Sequence, residues 1–307
     1  MTMRALAVVG NVNVDLIMGP VTPWPIPGTE VLTTRDDLRP GGAAGNTGLA
    51  WAGLGVSFTA ASNVGDDMMG AWLRQALSPQ SNAWVTTRAS TTVSVGITHP
   101  GDDRTFFTTA GHLAHLTWPQ AQAQLMNVQG GLLLLCGSFL TDRLTADYAV
   151  LFDWAAVHSV DLALDPGWPL QGWTAALLLQ VRGWLSQTKH LLINEIEALH
   201  LSGVDRIDTA LAELLALMPE GAAVVIKAGA QGAYGRSAKR LIHVPAPNLP
   251  VLDTIGAGDI FNAGYLLATA KGGDLAMAVA AGVRLASHAI STSPRVYEMP
   301  DIQAENV

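Results

Sequence analysis

Short, wholly apolar runs recur along the chain, separated by stretches in which apolar residues return at helical spacing. The clearest runs are "GGLLLLCG", "VDLALDP", "HLLINE" and "AAVVIKAG". Each lacks the apolar–polar alternation of a half-exposed strand, and each ends on Gly, Pro or a polar residue. Strands buried on both faces read this way. Helical patterns fall at roughly 144–158, 171–187 and 206–217. Strand and helix in alternation predict a mostly parallel sheet flanked by helices, an α/β fold.

The N-terminal part follows the same rhythm. "ALAVVGNVNVD" reads as the first strand, and a Pro-rich connector, "GPVTPWPIPGTE", follows it. A Gly-rich turn, "PGGAAGNTG", then feeds a helix, "NTGLAWAGLG". "SFTAASNVG" reads as a strand and "DMMGAWLRQAL" as a helix. The rhythm breaks at "WVTTRASTTVSVGITHPGDDRTFFTTA", where two Thr/Val-rich runs flank a "HPGDD" turn, a hairpin signal. With an extended piece near 15–38, the hairpin at about 88–109 predicts a small second sheet acting as a lid. "RLIHVPAPNLPVLDT" is extended, since its three prolines forbid a helix interior. From Ala257 onward the pattern is helical. No repeat or linker divides the chain, so residues 1–307 are read as one domain carrying a lid.

Composition narrows the classes. Apolar residues make up 49% of the chain and charged residues 14%, which suits a large buried core. A net charge of −8 argues against nucleic acid or an anionic membrane as partner. The single Cys136, inside an apolar run, excludes an internal disulfide framework and a multi-cysteine zinc site. The N-terminal stretch is broken by Asn11, Asn13 and Asp15 and is not read as a signal peptide. No run approaches the ~20 apolar residues needed to span a bilayer. A cytoplasmic protein is the expectation.

The chemistry concentrates in "DTIGAGDIFNAG", residues 253–264. Gly256, Ala257 and Gly258 precede a helix, whose first amides lack partners and carry partial positive charge. They form a pocket suited to an anion, above all a phosphate. Asp259 projects from the first turn into the same space. A carboxylate beside phosphate is repelled, so anion binding alone does not account for it. It fits if the acid removes a proton from an attacking hydroxyl during phosphoryl transfer. A plain helix start with a dipole-favourable Asp is the competing reading. G-x-x-x-x-G-K-[ST] is absent, and the dinucleotide spacing G-x-G-x-x-G fails.

"DTIGAGD" resembles the signature of the ribokinase-like, or PfkB, family of carbohydrate and nucleoside kinases. "PGGAAGN" at 40–46 resembles that family's N-terminal glycine motif, "GNVNVDL" at 10–16 its opening strand, and "NEIE" at 194–197 its N-x-x-E element. The matches keep the family's order and span nearly the whole chain. The resemblance implies a ribokinase-like fold and ATP-dependent phosphorylation. It implies Asp259 as catalytic base, with Gly256, Ala257 and Gly258 as an anion hole. Asn13, Asp15, Gly41, Gly42 and Asn46 would bind substrate. Asn194 and Glu197 would serve Mg2+ and the phosphates, largely through water. "VIKAGAQGAYG" resembles the family's nucleotide loop, which assigns Lys227, Gly229 and Gly232 to nucleotide. Asp253 and the Ile255 carbonyl fall where many relatives hold a monovalent cation such as K+, although relatives commonly have Thr at the Ile255 position. "ASHAISTSPRVYEMP" departs from the family's tail and leaves the adenine contacts unassigned, His288 being one candidate.

For the substrate, "GGAAGN" carries no Lys or Arg to hold a phosphate, which favours a neutral sugar or polyol. Arg104 in the lid is the exception, as a contact for a substrate anion or a partner of Asp102 or Asp103. Trp24, Phe106, Phe107 and Trp168 keep a nucleoside in play, since a base needs a ring to stack on. A sugar-binding sensor on a retired kinase fold is a third reading, opposed by the intact Gly256–Asp259 motif. The Thr/Val-rich lid edge suggests a homodimer, by analogy with relatives that cross their lid sheets.

Overall fold

The computed structural model describes residues 3–100 and 104–299. The apolar runs lie side by side in an eight-stranded sheet, ordered β14-β13-β12-β11-β10-β9-β1-β4. These strands are β1 (Leu6–Val9), β4 (Thr59–Ala61), β9 (Leu132–Cys136), β10 (Asp161–Asp165), β11 (His190–Asn194), β12 (Ala223–Lys227), β13 (Ala233–Ser237) and β14 (Leu241–Val244). All pair in parallel from β4 to β12, and β13 and β14 add an antiparallel edge.

Both faces are covered, which is why the runs are apolar throughout. Leu6, Val8, Leu132, Leu134 and Cys136 point to one face. There they meet α1 (Ala43–Gly53), α2 (Met68–Ala76), α9 (Ala257–Ala270) and α10 (Leu275–Ile290). Ala7, Val9, Leu133 and Leu135 point to the other. That layer comprises α3 (Trp118–Gln122), α4 (Asp142–Ala146), α5 (Tyr148–Val157), α6 (Ala175–Leu185), α7 (Glu195–Ser202) and α8 (Ile207–Ala216). Cys136 is fully buried, the core residue its context predicts. Among the described residues no helix is long and apolar enough to cross a membrane.

The lid is a separate four-stranded sheet ordered β3-β2-β7-β8. Its strands are β2 (Asn13–Gly19), β3 (Arg35–Gly41), β7 (Val93–Thr98) and β8 (Arg104–Thr108). The expected hairpin is present as antiparallel β7 and β8. Two expectations need correction. "ALAVVGNVNVD" is not one strand: β1 stops at Val9, and β2 restarts at Asn13 in the lid. "SFTAASNVG" likewise divides between β4 and a short strand, β5 (Asn63–Gly65), which pairs with β6 (Val85–Thr87) in a third sheet. Buried side chains continue through both breaks, so hydrophobicity alone does not mark the change of sheet.

Candidate active site

The site forms where the lid crosses the carboxyl ends of the parallel strands, the usual ligand position in open α/β sheets. Asn11 lies just beyond the end of β1. Its side chain donates to Asn13 Oδ1 at 3.2 Å and accepts from the Ala43 amide at 3.2 Å, joining β2 to α1. Asn13 Nδ2 donates to Asp15 Oδ1 at 2.7 Å. Burial drives the Asp15 carboxyl up to about 6, against the pull of Arg39 and the Asn13 bond. The paired glycines are needed for space. A Cβ at Gly41 would strike the Asp15 carboxylate, and one at Gly42, where φ is +83°, would strike the Asn11 carbonyl.

Helix α1 then carries Asn46 to Asp259. Asn46 Nδ2 donates to Asp259 Oδ2 at 2.9 Å, and the Thr47 hydroxyl donates to the Asp259 carbonyl at 3.1 Å. The Trp51 indole donates to the Ala263 carbonyl at 3.0 Å and fixes α1 against α9. Gly256 caps α9 with φ +77°, the left-handed region, and any Cβ there would strike the Asn46 amide. The Ala257 amide is spent on the Thr254 carbonyl at 3.1 Å. Of the expected anion hole, the amides of Gly256 and Gly258 are therefore left to meet an anion, with that of Asp259 beside them. Asp259 is partly buried, and its carboxyl is pushed up to about 6, first by desolvation and then by Asp165.

Asp165 and Asn262 are two residues the sequence reading misses. Asp165 ends β10, and its Oδ2 accepts from Lys227 Nζ at 2.7 Å and from Asn262 Nδ2 at 2.6 Å. Lys227 also donates to Asn262 Oδ1 at 3.2 Å. Lys227 is thus tied into a buried ion pair rather than standing at the surface. Asn262 follows Asp259 by three residues, one helical turn, so the quoted motif already holds its signal. Asp165 offers a fainter one, a carboxylate on the last position of a buried strand.

Asn194 and Glu197 come together as a capping box on α7. The Glu197 carboxylate accepts from the Asn194 amide at 3.0 Å, and Asn194 Oδ1 accepts from the Glu197 amide at 2.8 Å. Glu197 is buried, and desolvation with the nearby Asp165 pushes its carboxyl up. Among the described residues no group of three or more His, Cys, Asp or Glu is arranged to hold a metal ion. Glu197 and Asp165 fit an ion that keeps most of its waters, the habit of Mg2+, and do not fit a protein cage. Gly229 (φ +55°) faces open space, as a nucleotide loop requires. Gly232 is instead crowded by its own chain, because a side chain there would run into the Val244 carbonyl.

The cation reading of Asp253 does not fit. Its Oδ2 accepts from Arg35 at 3.1 Å and from Arg39 and forms an ion pair with Arg295 at 3.1 Å, while Oδ1 accepts from the Ile255 amide at 2.9 Å. Burial opposes ionisation, but Arg39, the Ile255 amide and Arg295 hold the carboxyl below its ordinary range. Arg295 also donates to the carbonyls of Asp253 and Ile255. The place expected for K+ holds guanidinium groups. Arg104 crosses from the lid to the Thr254 hydroxyl at 2.7 Å, and its expected partners Asp102 and Asp103 lie outside the described residues. Arg39 stands two residues before Gly41, and Arg295 in the tail that departs from the family. His288 lies near the end of α10, where its carbonyl accepts from the Ser291 hydroxyl at 2.8 Å.

The model of the pfkB family carbohydrate kinases matches residues 3–301. The chain belongs to this family. It is accordingly an ATP-dependent phosphotransferase acting on a sugar hydroxyl. A ribokinase from Bacillus subtilis (strain 168) is 26% identical over 294 residues, covering 95% of this chain and 93% of the relative. A fructokinase from Rhizobium leguminosarum bv. trifolii is 29% identical over 237 residues, covering 74% and 70%. Among solved structures, a putative ribokinase II from E. coli in complex with ATP and Mg2+ superposes with a TM-score of 0.77 at 18% identity, covering 94% of each chain. That superposition shows the ribokinase-like α/β fold with its separate small sheet.

Proposed function

We propose that this kinase transfers the γ-phosphoryl group of ATP to a hydroxyl of a small neutral sugar, with Asp259 as general base. The observation that carries the reading is the Asn46–Asp259 hydrogen bond. It sets a partly buried carboxylate at the N-terminus of α9, within electrostatic reach of Asp15. Asp15 and Asn13 accept from and donate to neighbouring sugar hydroxyls. Asp259 takes the proton of the attacking hydroxyl as its oxygen meets phosphorus. The amides of Gly256 and Gly258 receive the charge spreading over the phosphoryl oxygens. Mg2+, held through water by Glu197 and Asp165, would neutralise phosphate charge. Lys227, hydrogen-bonded to Asp165, offsets the negative charge of those two carboxylates and holds Asp165 in place, and Asn194 and the open Gly229 loop border the nucleotide side.

The neutral substrate is supported by the arginines' existing engagements: Arg35, Arg39 and Arg295 converge on Asp253, and Arg104 reaches Thr254. One observation favours a second reading, a sugar carrying a carboxylate. Arg39 Nε and Nη2 are buried with no partner among the described residues, and Arg39 lies opposite Asp15 in the lid register. The nucleoside reading loses most of its aromatics. Phe107 pairs with Val95 and Trp24 stacks on Phe107, both on the lid face away from Asp15. Trp168 packs on Trp173 and His200. Phe106, opposite Gly96, stays on the Asp15 face.

The test is ADP release by a coupled assay with ribose, fructose, 2-keto-3-deoxygluconate, adenosine, cytidine and pseudouridine. Turnover of ribose or fructose is expected. Turnover of the sugar acid alone selects the second reading, and turnover of a nucleoside alone sinks both. Absence of ADP release together with a sugar-dependent rise in melting temperature would mark a sensor.

A further inference from the structure

The loop from Leu252 to Ile255 leads directly into the Gly256 cap, so its shape decides where the amides of Gly256 and Gly258 point. Two main-chain carbonyls, those of Asp253 and Ile255, turn towards one point, where the Asp253 carboxylate also lies. Left alone, these oxygens repel one another, and the loop would open. A single nitrogen, Arg295 Nη2, serves all three: it donates to the Asp253 carbonyl at 3.1 Å and to the Ile255 carbonyl, and forms an ion pair with the carboxylate at 3.1 Å. The same loop is tied to the end of α10, where the Ile290 carbonyl accepts from the amides of Leu252 at 2.9 Å and Asp253 at 3.3 Å. Arg295 follows that helix end by five residues. Its side chain is 13% exposed, so the cation is set inside the protein rather than borrowed from solvent.

We propose that the Arg295 guanidinium is a built-in cation that positions the anion-hole loop, and that this kinase therefore works without a bound monovalent metal ion. A guanidinium keeps its charge at every working pH and offers several fixed donors, so it can serve carbonyls and a carboxylate at once. Arg35 and Arg39 on the same carboxylate add two more positive charges at the point a metal ion would have to enter. Repulsion among like charges in a poorly solvated site then excludes the metal. Arg295 touches neither nucleotide nor sugar in this arrangement. It acts through the loop, as a positioning residue.

The proposal rests on the reading of residues 256–259 as the anion hole, and two experiments separate the two ideas. The first needs no turnover. The melting temperature of the wild-type protein is measured in KCl, NaCl, CsCl and choline chloride at equal ionic strength. A ligand that binds only the folded state raises stability by mass action. No K+-specific shift is expected; a K+-specific rise that saturates at millimolar concentration overturns the proposal even if no substrate is ever found. The second uses whichever sugar turns over. Wild-type kcat is expected to be equal in KCl and choline chloride, and several-fold activation by K+ overturns the proposal. Arg295→Ala should lose roughly tenfold to hundredfold in kcat, the scale of a misplaced catalytic loop, with a smaller change in sugar KM. Millimolar guanidinium or K+ should restore part of that kcat, which a loss of packing alone would not allow. Arg295→Lys, which keeps the charge, covers the case in which the alanine variant does not fold. Full kcat in folded Arg295→Ala overturns the positioning role.

Discussion

Asp259, the proposed base, stands at a position that resists ionisation. Burial, then Asp165, raise its carboxyl to about 6, while the Asn46 bond and Lys227 pull it down. Asp15 is raised to about 6 as well, mainly by burial. The proposed mechanism needs both ionised, Asp259 to take a proton and Asp15 to accept from the sugar. The kcat/KM profile should fall below pH 6 with two protons involved, and Asp15→Asn should reduce that to one. A single-proton limb in the wild type would refute the pairing. Asp259→Asn keeps an oxygen for Asn46 and removes the base, so kcat should drop about 10²–10⁴-fold with ATP affinity little changed. It should also stabilise the protein. Between pH 3.8 and about 6 the folded protein holds a proton that the unfolded chain releases, so folding stability declines as pH rises through that window and is flat above it. The variant should therefore gain on the order of 1–3 kcal/mol at pH 7 and nothing near pH 4, as measured by urea unfolding at both.

The elements show how far a sequence carries. β9 to β12 are legible because burial on both sheet faces writes an unbroken apolar run. The cap of α9 and the turn into α1 are legible because each is one contiguous motif. The network across Asp165, Lys227 and Asn262 is not, since it joins the ends of β10 and β12 to the second turn of α9 and no spacing along the chain announces it. Arg295 is hidden for the same reason, and the passage from β1 into the lid because buried residues run through it. Charge is what binds those three ends. Burial alone would strip the proton from Lys227, but Asp165 and Glu197 raise its affinity and keep it charged. Lys227→Met should strand two buried carboxylates and cost about 3–5 kcal/mol in denaturant unfolding. Adding Asp165→Asn should recover much of that loss, whereas simple additivity of the two changes would show that the pair is not coupled.

At the scale of the whole molecule, the lid has two unlike faces. Register sets Asp15, Ser94 and Thr108 on the site face, and Leu16, Val95 and Phe107 on the other. The site face meets the sheet ends, while the outer face stays apolar and open. Leu38 is 51% exposed there, Phe107 53% and Trp24 54%. A hollow of about 270 Å³ runs between Met18, Trp24, Val31, Ile97 and Phe107. A contiguous apolar surface of this kind is uncommon on a monomer. Strand β8 adds a sheet edge, which soluble proteins usually cover or charge. We propose that a second copy of the chain covers this face, its own lid crossing the first in an isologous pair. One apolar side chain then fills the partner's hollow and the reverse, so a charge placed there is counted twice across the two-fold axis. Phe107→Asp, pointing away from Asp15, should yield a monomer by sedimentation velocity at micromolar concentration while the wild type sediments as a dimer. Because Phe107 shares its strand with Arg104 and Phe106, loss of the partner should loosen the lid and raise sugar KM more than it lowers kcat. A wild-type protein that sediments as a monomer would leave the apolar face to some other role.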